Sequence, residues 1–221
     1  MDRRAVIVGG GTLSPEVLRE LDPSDYLVGV DYGAYWLVNN GKVPHVAIGD
    51  FDSVTQEELA RIKESIPRVL IHAPEKNYTD MELAVEHTLE QNPSNIVIYG
   101  AFGSRWDHSI GNLYLLKRAM EKNIPAVIRN EQNEAFLLAG ALSISPSSRF
   151  RYISILPFTP TIVVTLAGCT YNVKQKKITQ GETIGISNEV TQGGGIITIH
   201  EGVAVVFRSR DAEGGNPTWA D

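Results

Sequence analysis

Ile48-Gly49-Asp50-Phe51-Asp52-Ser53-Val54 follows the short apolar run Val46-Ala47-Ile48 and leads into Thr55-Gln56-Glu57-Glu58. The apolar run reads as a buried strand, and Thr55 with Glu58 has the spacing of a capping box that opens a helix. Gly49 lets the backbone turn, so Asp50 and Asp52 are predicted at the C-terminal end of a strand. In a parallel sheet with helical connections, ligands bind at that edge. Two carboxylates one residue apart suit a hard cation through oxygen ligands. The competing reading is that Asp and Ser only shape the turn before the helix.

The same strand-then-helix arrangement recurs on both sides. Upstream, residues 5–8 read as a strand ending in Gly9-Gly10-Gly11-Thr12, with Ser14 and Pro15 starting a helix. Glycines there, Gly10 among them, let backbone N–H groups approach a phosphate. The run is neither a dinucleotide fingerprint nor a Walker loop, and a plain tight turn is an equal alternative. Tyr26–Val30 is a second strand, followed by Asp31-Tyr32-Gly33-Ala34 and a helix from Ala34 to Asn40 closed by Gly41. Asp31 thus also ends a strand, with helix N-capping as its alternative role.

Downstream, a helix over 56–65 is halted by Pro67, and Val69–Ile71 is a fourth strand. A loop carrying Lys76 leads to Thr79-Asp80-Met81-Glu82, a second capping box, whose helix puts Ala84, Val85, Thr88 and Leu89 on one face. Ile96–Tyr99 is a fifth strand, followed by Gly100-Ala101-Phe102-Gly103-Ser104-Arg105-Trp106-Asp107-His108. A helix is predicted over Ser109–Lys122 and a sixth strand over Pro125–Arg129. Arg105, Asp107 and His108 together exceed what a helix start requires, and an arginine suits bidentate phosphate contact.

Strand alternating with helix predicts a mostly parallel α/β domain over residues 1–130. From residue 131 to 221 the rhythm gives way to β-branched runs: Phe150–Leu156, Thr161–Leu166, Thr183–Ser187, Ile196–His200 and Val203–Phe207. These predict a β-sandwich or roll.

The 221 residues carry a formal net charge of −6, which gives no basic footprint for nucleic acid. A polyanionic substrate would then require a divalent cation and local basic groups. No apolar run approaches bilayer length, so no membrane span is expected. The apolar stretch at Ala5–Val8 is too short for a signal peptide, and the single cysteine, Cys169, forms no internal disulfide; a cytoplasmic location is the expectation.

By the strand-end rule Asp31, Asp50, Asp52, Asp80, Arg105 and Asp107 should face one crevice. Carboxylates for Mg²⁺ beside cations for phosphate oxygens describe metal-assisted phosphoryl chemistry. Gly49–Ser53, Lys76–Ala84 and Gly100–His108 resemble, in order and spacing, motifs of the thiamine pyrophosphokinase family, and Gly185-Ile186-Ser187-Asn188-Glu189 is similar to its Ser-Asn-Glu segment. The resemblance implies an ATP- and Mg²⁺-binding catalytic domain over 1–130 and a thiamine-binding β domain over 131–221. It further implies a homodimer with thiamine near the interface, and transfer of pyrophosphate from ATP to the thiamine hydroxyl with release of AMP. Carried over by motif, Asp50, Asp52 and Asp80 are metal ligands or catalytic carboxylates, joined in catalysis by Asp107. Gly10, Asp31, Lys76, Thr79, Arg105, Asp107 and His108 address ATP, and Ser187 and Asn188 address thiamine.

Tyr32, His45, Asn77 and Ser104 depart from the residues common in the family. Some relatives stack a last-strand tryptophan on thiamine; here Val205, Val206 and Phe207 occupy that region, leaving Tyr171 and Trp219 as aromatic alternatives. Two other functions fit the same motifs: a pyrophosphokinase acting on another hydroxymethyl heterocycle such as a pterin, and a non-catalytic nucleotide or thiamine sensor. The full set of carboxylates with Arg105 exceeds what a sensor needs.

Overall fold

Four strands of the first half are buried along their whole length, so both faces of their sheet are covered: β1 (Ala5–Val8), β2 (Tyr26–Val30), β3 (Val46–Gly49) and β5 (Ile96–Tyr99). The computed structural model describes residues 3–73 and 77–212. Lys76 and Trp219 lie outside the described residues. The chain divides into two compact units, Met1–Glu131 and Gln132–Asp221.

In the first unit β4 (Val69–Ile71) and β6 (Ala126–Arg129) complete a parallel sheet in the order β6-β5-β1-β2-β3-β4. The connections are α1 (Pro15–Glu20), α2 (Tyr32–Asn39), α3 (Gln56–Ser65), α4 (Asp80–Glu90) and α5 (Trp106–Glu121). The chain builds outward from β1 to β4, then returns to the other side of β1 for β5 and β6. The topological switch therefore lies between β1 and β5, where such sheets open a crevice.

Local chemistry fixes the elements that frame this crevice. Thr55 and Glu58 exchange both bonds of the capping box, at 3.3 and 2.8 Å, and α3 begins at Gln56 as predicted. Phe51 is buried against Ile62 and Ile66, which pins the loop between β3 and α3. Burying that ring contributes about 2 kcal/mol or more. Two helices start earlier than predicted. Gly33 carries α2 so close beneath β1 that a Cβ there would meet the Val8 carbonyl oxygen at 2.1 Å, and α2 begins at Tyr32 rather than Ala34. In α5, Ser109 Oγ accepts from Gly103 N–H at 3.3 Å and donates to the Arg105 carbonyl at 3.0 Å. The helix thus begins at Trp106 instead of Ser109.

The second unit is strand-rich: β7 (Asn133–Ile144), β8 (Tyr152–Pro157), β9 (Thr161–Ala167), β10 (Val173–Thr179), β11 (Asn188–Glu189) and β12 (Gly195–Ser209). All pairings are antiparallel, along β10-β9-β12-β7, with β8 pairing both β11 and β12. The two runs predicted over Ile196–His200 and Val203–Phe207 form one strand. Its register shifts between Ile199 and Ala204, where Gly202 takes φ +77°, so its first half pairs with β9 and its second with β8. Ile155, Ile162, Val164, Leu166, Ile197 and Val206 form the buried core.

Thr183–Ser187 is not a strand. Gly185 lies against β8, where a Cβ would meet the Ile155 carbonyl oxygen at 2.1 Å, and Ser187 takes φ +58°, which breaks the alternation. Ile184 and Ile186 are left exposed. β7 and β10 were not anticipated. β10, Val-Lys-Gln-Lys-Lys-Ile-Thr, turns most of its residues to solvent at the edge of the sheet, where lysines discourage strand addition.

Candidate active site

The loops after β1 and β5 are zipped together and form one side of the crevice. Gly9 N–H donates to the Tyr99 carbonyl at 2.8 Å, Gly11 N–H to Gly100 at 2.8 Å and Thr12 N–H to Phe102 at 2.7 Å. The approach is close enough that a Cβ at Gly11 would sit 2.4 Å from the Phe102 carbonyl oxygen.

Carboxylates enter from the other strand ends. Asp31 follows β2 with φ +46° and ψ −123°, and its side chain makes no cap bond to α2. Its Oδ1 instead accepts from Phe51 N–H at 3.1 Å, tying the β2 loop to the β3 loop. Gly49 makes room for it, since a Cβ there would fall 1.8 Å from that oxygen. Asp50 ends β3 and accepts from Asp52 N–H at 3.1 Å. Asp80 opens α4, whose N-cap Thr79 accepts from Glu82 N–H at 3.2 Å. The Glu82 carboxylate pairs with Arg118 at 3.2 Å.

Asp31, Asp50 and Asp80 bring carboxylate oxygens within 4.8 Å of one another, each half-buried. Asp31 occupies the place expected for Asp52. Phe51 takes φ +60° and buries its ring, and Asp52 is left exposed on the rim, outside the cluster but still lining the crevice. The cleft has a volume of about 510 Å³ and gathers Gly10, Asp31, Asp50, Asp52, Thr79, Asp80, Arg105 and His108. Tyr32, singled out from the sequence only as a departure from the family pattern, also lines it, as do Tyr78 and Asn112, which were given no role there. Asn112 was legible in principle: it lies four residues after His108 on α5, hence on the same face, and its Nδ2 holds the Ala101 carbonyl at 2.7 Å.

Asp107 does not line the cleft. Its carboxylate grips the Arg105 guanidinium at 2.6 Å, and Arg105 holds the Asp107 carboxyl below the usual carboxylate range. Both side chains are exposed, so the pair adds little stability and serves instead to orient Arg105.

Burial and the neighbouring carboxylate of Asp80, with smaller contributions from Asp50 and Asp52, push Asp31 up to about 7. In an unfolded chain the same group titrates near 4. As pH rises between these values the unfolded state releases a proton that the folded state retains, so the stability of metal-free protein falls. Above pH 7 the full penalty is present. Asp31→Asn is therefore expected to unfold at a higher temperature than the parent at pH 8 in chelator, with the difference vanishing near pH 4. Calorimetry at the two pH values checks this; an equal midpoint at pH 8 overturns the penalty on ionised Asp31.

Ser187 and Asn188 belong to the second unit. Asn188 lines a second cavity of about 550 Å³, mostly apolar, together with Ile155, Leu166, Tyr171 and Ile186. Ser187 is not part of that lining; its N–H donates to Ser154 Oγ at 3.0 Å.

Two family profiles match separate stretches of the chain. The family profile described as "Thiamin pyrophosphokinase, catalytic domain" matches residues 17–128, and "Thiamin pyrophosphokinase, vitamin B1 binding domain" matches residues 141–204. Thiamine pyrophosphokinase of Bacillus subtilis is 36% identical over 209 residues, covering 93% of this chain and 98% of its own. The crystal structure of the Bacillus subtilis thiamine pyrophosphokinase superposes with a TM-score of 0.89 at 35% identity, over 95% of this chain and 100% of that one. That of the Geobacillus thermodenitrificans enzyme gives 0.85 at 34% identity, over 95% and 99%. Among the described residues no helix is long and apolar enough to cross a membrane. With nearly its whole length matched, the chain belongs to the thiamine pyrophosphokinase family.

Proposed function

We propose that the chain transfers pyrophosphate from ATP to the hydroxyl of thiamine, giving thiamine diphosphate and AMP, with Mg²⁺ and ATP held in the cleft of the first unit. The observation that carries this reading is the convergence of Asp31, Asp50 and Asp80 within 4.8 Å. An all-carboxylate set of this kind fits a hard divalent cation, and burial together with the neighbouring Asp80 carboxylate raises the pKa of Asp31. Mg²⁺ bound there supplies positive charge to the phosphate oxygens as charge develops on them.

The chain's own groups bind and orient. Gly9, Gly11 and Thr12 spend their N–H groups inside the paired loops, which leaves Gly10 as the backbone donor for a phosphate oxygen. Arg105, aimed by Asp107, and His108 meet the phosphates from α5, and Thr79 holds the start of α4 so that Asp80 faces the cleft. Asp52 adds negative field from the rim. Lys76 keeps its proposed role at ATP outside the described residues. Ser187 and Asn188 belong to the thiamine-binding unit, and the active species is a homodimer with thiamine near the interface. A cytoplasmic location accords with Cys169, a free, buried cysteine.

Incubation with ATP, Mg²⁺ and thiamine, with products identified by mass, tests the reaction. AMP with thiamine diphosphate is the expected pair; ADP with thiamine monophosphate overturns it. Light scattering of the active protein should give twice the chain mass. A monomer with full activity overturns the interfacial placement of thiamine.

A further inference from the structure

Where β8 begins and β12 ends, the second unit opens a further cavity, of about 670 Å³, within the range of small-molecule sites. Its lining shares no residue with the cleft of the first unit or with the cavity around Asn188. Arg208 stands opposite Ile153 in the β8–β12 ladder, and Arg151 precedes Ile153 by two. Register and strand alternation therefore put both guanidinium groups on one face, and both line the cavity. Glu189 is the one carboxylate among the described lining residues, so positive charge is in local excess on a chain of net charge −6.

Each arginine is braced. Arg208 Nη1 donates to Glu134 Oε1 at 3.2 Å, and the guanidinium lies 5.4 Å from the centre of the Phe150 ring. Arg151 directs Nε and Nη2 at the same Glu189 oxygen, both at 3.1 Å, and lies 5.1 Å from the centre of the Tyr152 ring. A guanidinium carries five N–H groups, so both arginines keep donors beyond these pairs. Ser147 adds another. Its Oγ accepts from Arg149 N–H and Phe150 N–H, each at 3.1 Å, which occupies both lone pairs and leaves the hydroxyl as a donor. Beside these donors the lining is apolar, with Phe136, Leu142, Ile144, Pro146 and Val190. Arginines that only closed the end of the strands would need no hollow in front of them, because protein interiors close-pack. Fixed donors beside an apolar hollow suit a ligand with an acceptor-only head and an apolar body. We propose that this cavity binds an organic phosphate, a phosphate monoester on a flat apolar body. Two guanidinium groups and a hydroxyl match its three terminal oxygens better than the two of a carboxylate. The site stands apart from the reaction proposed above, and its test reads binding rather than turnover.

Calorimetric titration of the full chain with phenyl phosphate is the test, run in chelator so that Mg²⁺-dependent binding in the first-unit cleft is silent. A single site per chain is expected, with an affinity that falls as salt is added. Arg151→Gln should weaken it on the order of 10-fold, the worth of a hydrogen bond to a charged group. The melting temperature should not move, because the Arg151–Glu189 pair is exposed and adds little stability. Arg208→Lys should lose a similar factor; it keeps a charge beside the buried Glu134 carboxylate, so the fold survives, but it lacks the planar fork. Asp50→Asn, or saturating thiamine, should leave the affinity unchanged. Inorganic phosphate should bind on the order of 10-fold more weakly than phenyl phosphate, since it leaves the apolar lining unused, and benzoate should be weaker as well. Absence of binding, undiminished affinity in both arginine variants, or displacement by thiamine would each overturn the proposal. So would inorganic phosphate or benzoate binding as tightly as phenyl phosphate. A change of assembly mass in Arg151→Gln would make the cavity a protein interface and overturn it too.

Discussion

Asp50→Asn and Asp80→Asn should each lower turnover on the order of 100-fold or more while leaving thermal stability unchanged or slightly raised. One preorganised electrostatic contact to developing charge carries that magnitude. The stability half follows from geometry. Asp31, Asp50 and Asp80 crowd within 4.8 Å, so removing one charge relieves repulsion in the metal-free protein, and Asn keeps the shape and the carbonyl acceptor. Asp31→Asn belongs with these two. Asp52→Asn should cost only about 10-fold or less, since Asp52 stands outside the cluster and its field at the phosphates is screened by water. The Mg²⁺ concentration giving half-maximal rate should rise for the three cluster variants and hardly move for Asp52→Asn. Near-parent rates for the cluster variants, or equal loss at Asp52, would remove the metal assignment.

That ranking differs from what the sequence suggested, and the reason is physical. Asp50 and Asp52 are one residue apart in the chain, and proximity in sequence made them look like a pair. In the fold the intervening Phe51 is anchored in the core, and Asp52 stands outside the cluster that Asp50 joins. Asp31 and Asp50 are 19 positions apart, yet β2 and β3 are neighbours in register, Val30 opposite Ile48, so both carboxylates emerge side by side. Strand order was not legible from alternating strands and helices, whereas the limits of several single elements in the first unit were. β1, β2, β5 and α3 match their predicted bounds, because long apolar runs, the Thr55–Glu58 box and Pro67 are local signals. The same dependence on local signal explains the misses in the second unit. β10 is written in lysines because it is an edge strand, and Thr183–Ser187 shows an alternating pattern although its isoleucines face a cavity rather than a sheet core.

Gly100→Ala should be the most damaging single methyl in the first unit. Gly100 adopts φ +63°, and a Cβ there would lie 2.2 Å from the Gly9 carbonyl oxygen and 2.8 Å from its carbon. The left-handed backbone costs an alanine roughly 1 kcal/mol, and displacing main chain in a packed region about 1–3 kcal/mol more. Neither loop can yield alone, because Gly9 N–H is bound to Tyr99 and Gly11 N–H to Gly100. A drop on the order of 10 °C in melting temperature is expected. Activity should fall further than stability explains, since the zipped loops are the wall that presents Gly10 and Arg105 to the cleft. Gly111→Ala is the matched control: Gly111 lies inside α5 with nothing within 4 Å of its would-be Cβ. There the same methyl should stabilise by about 0.5–1 kcal/mol through helix propensity and leave turnover untouched. A Gly100→Ala variant that melts with the parent would show that the two loops are slack, and the rigid wall proposed for phosphate binding would go with it.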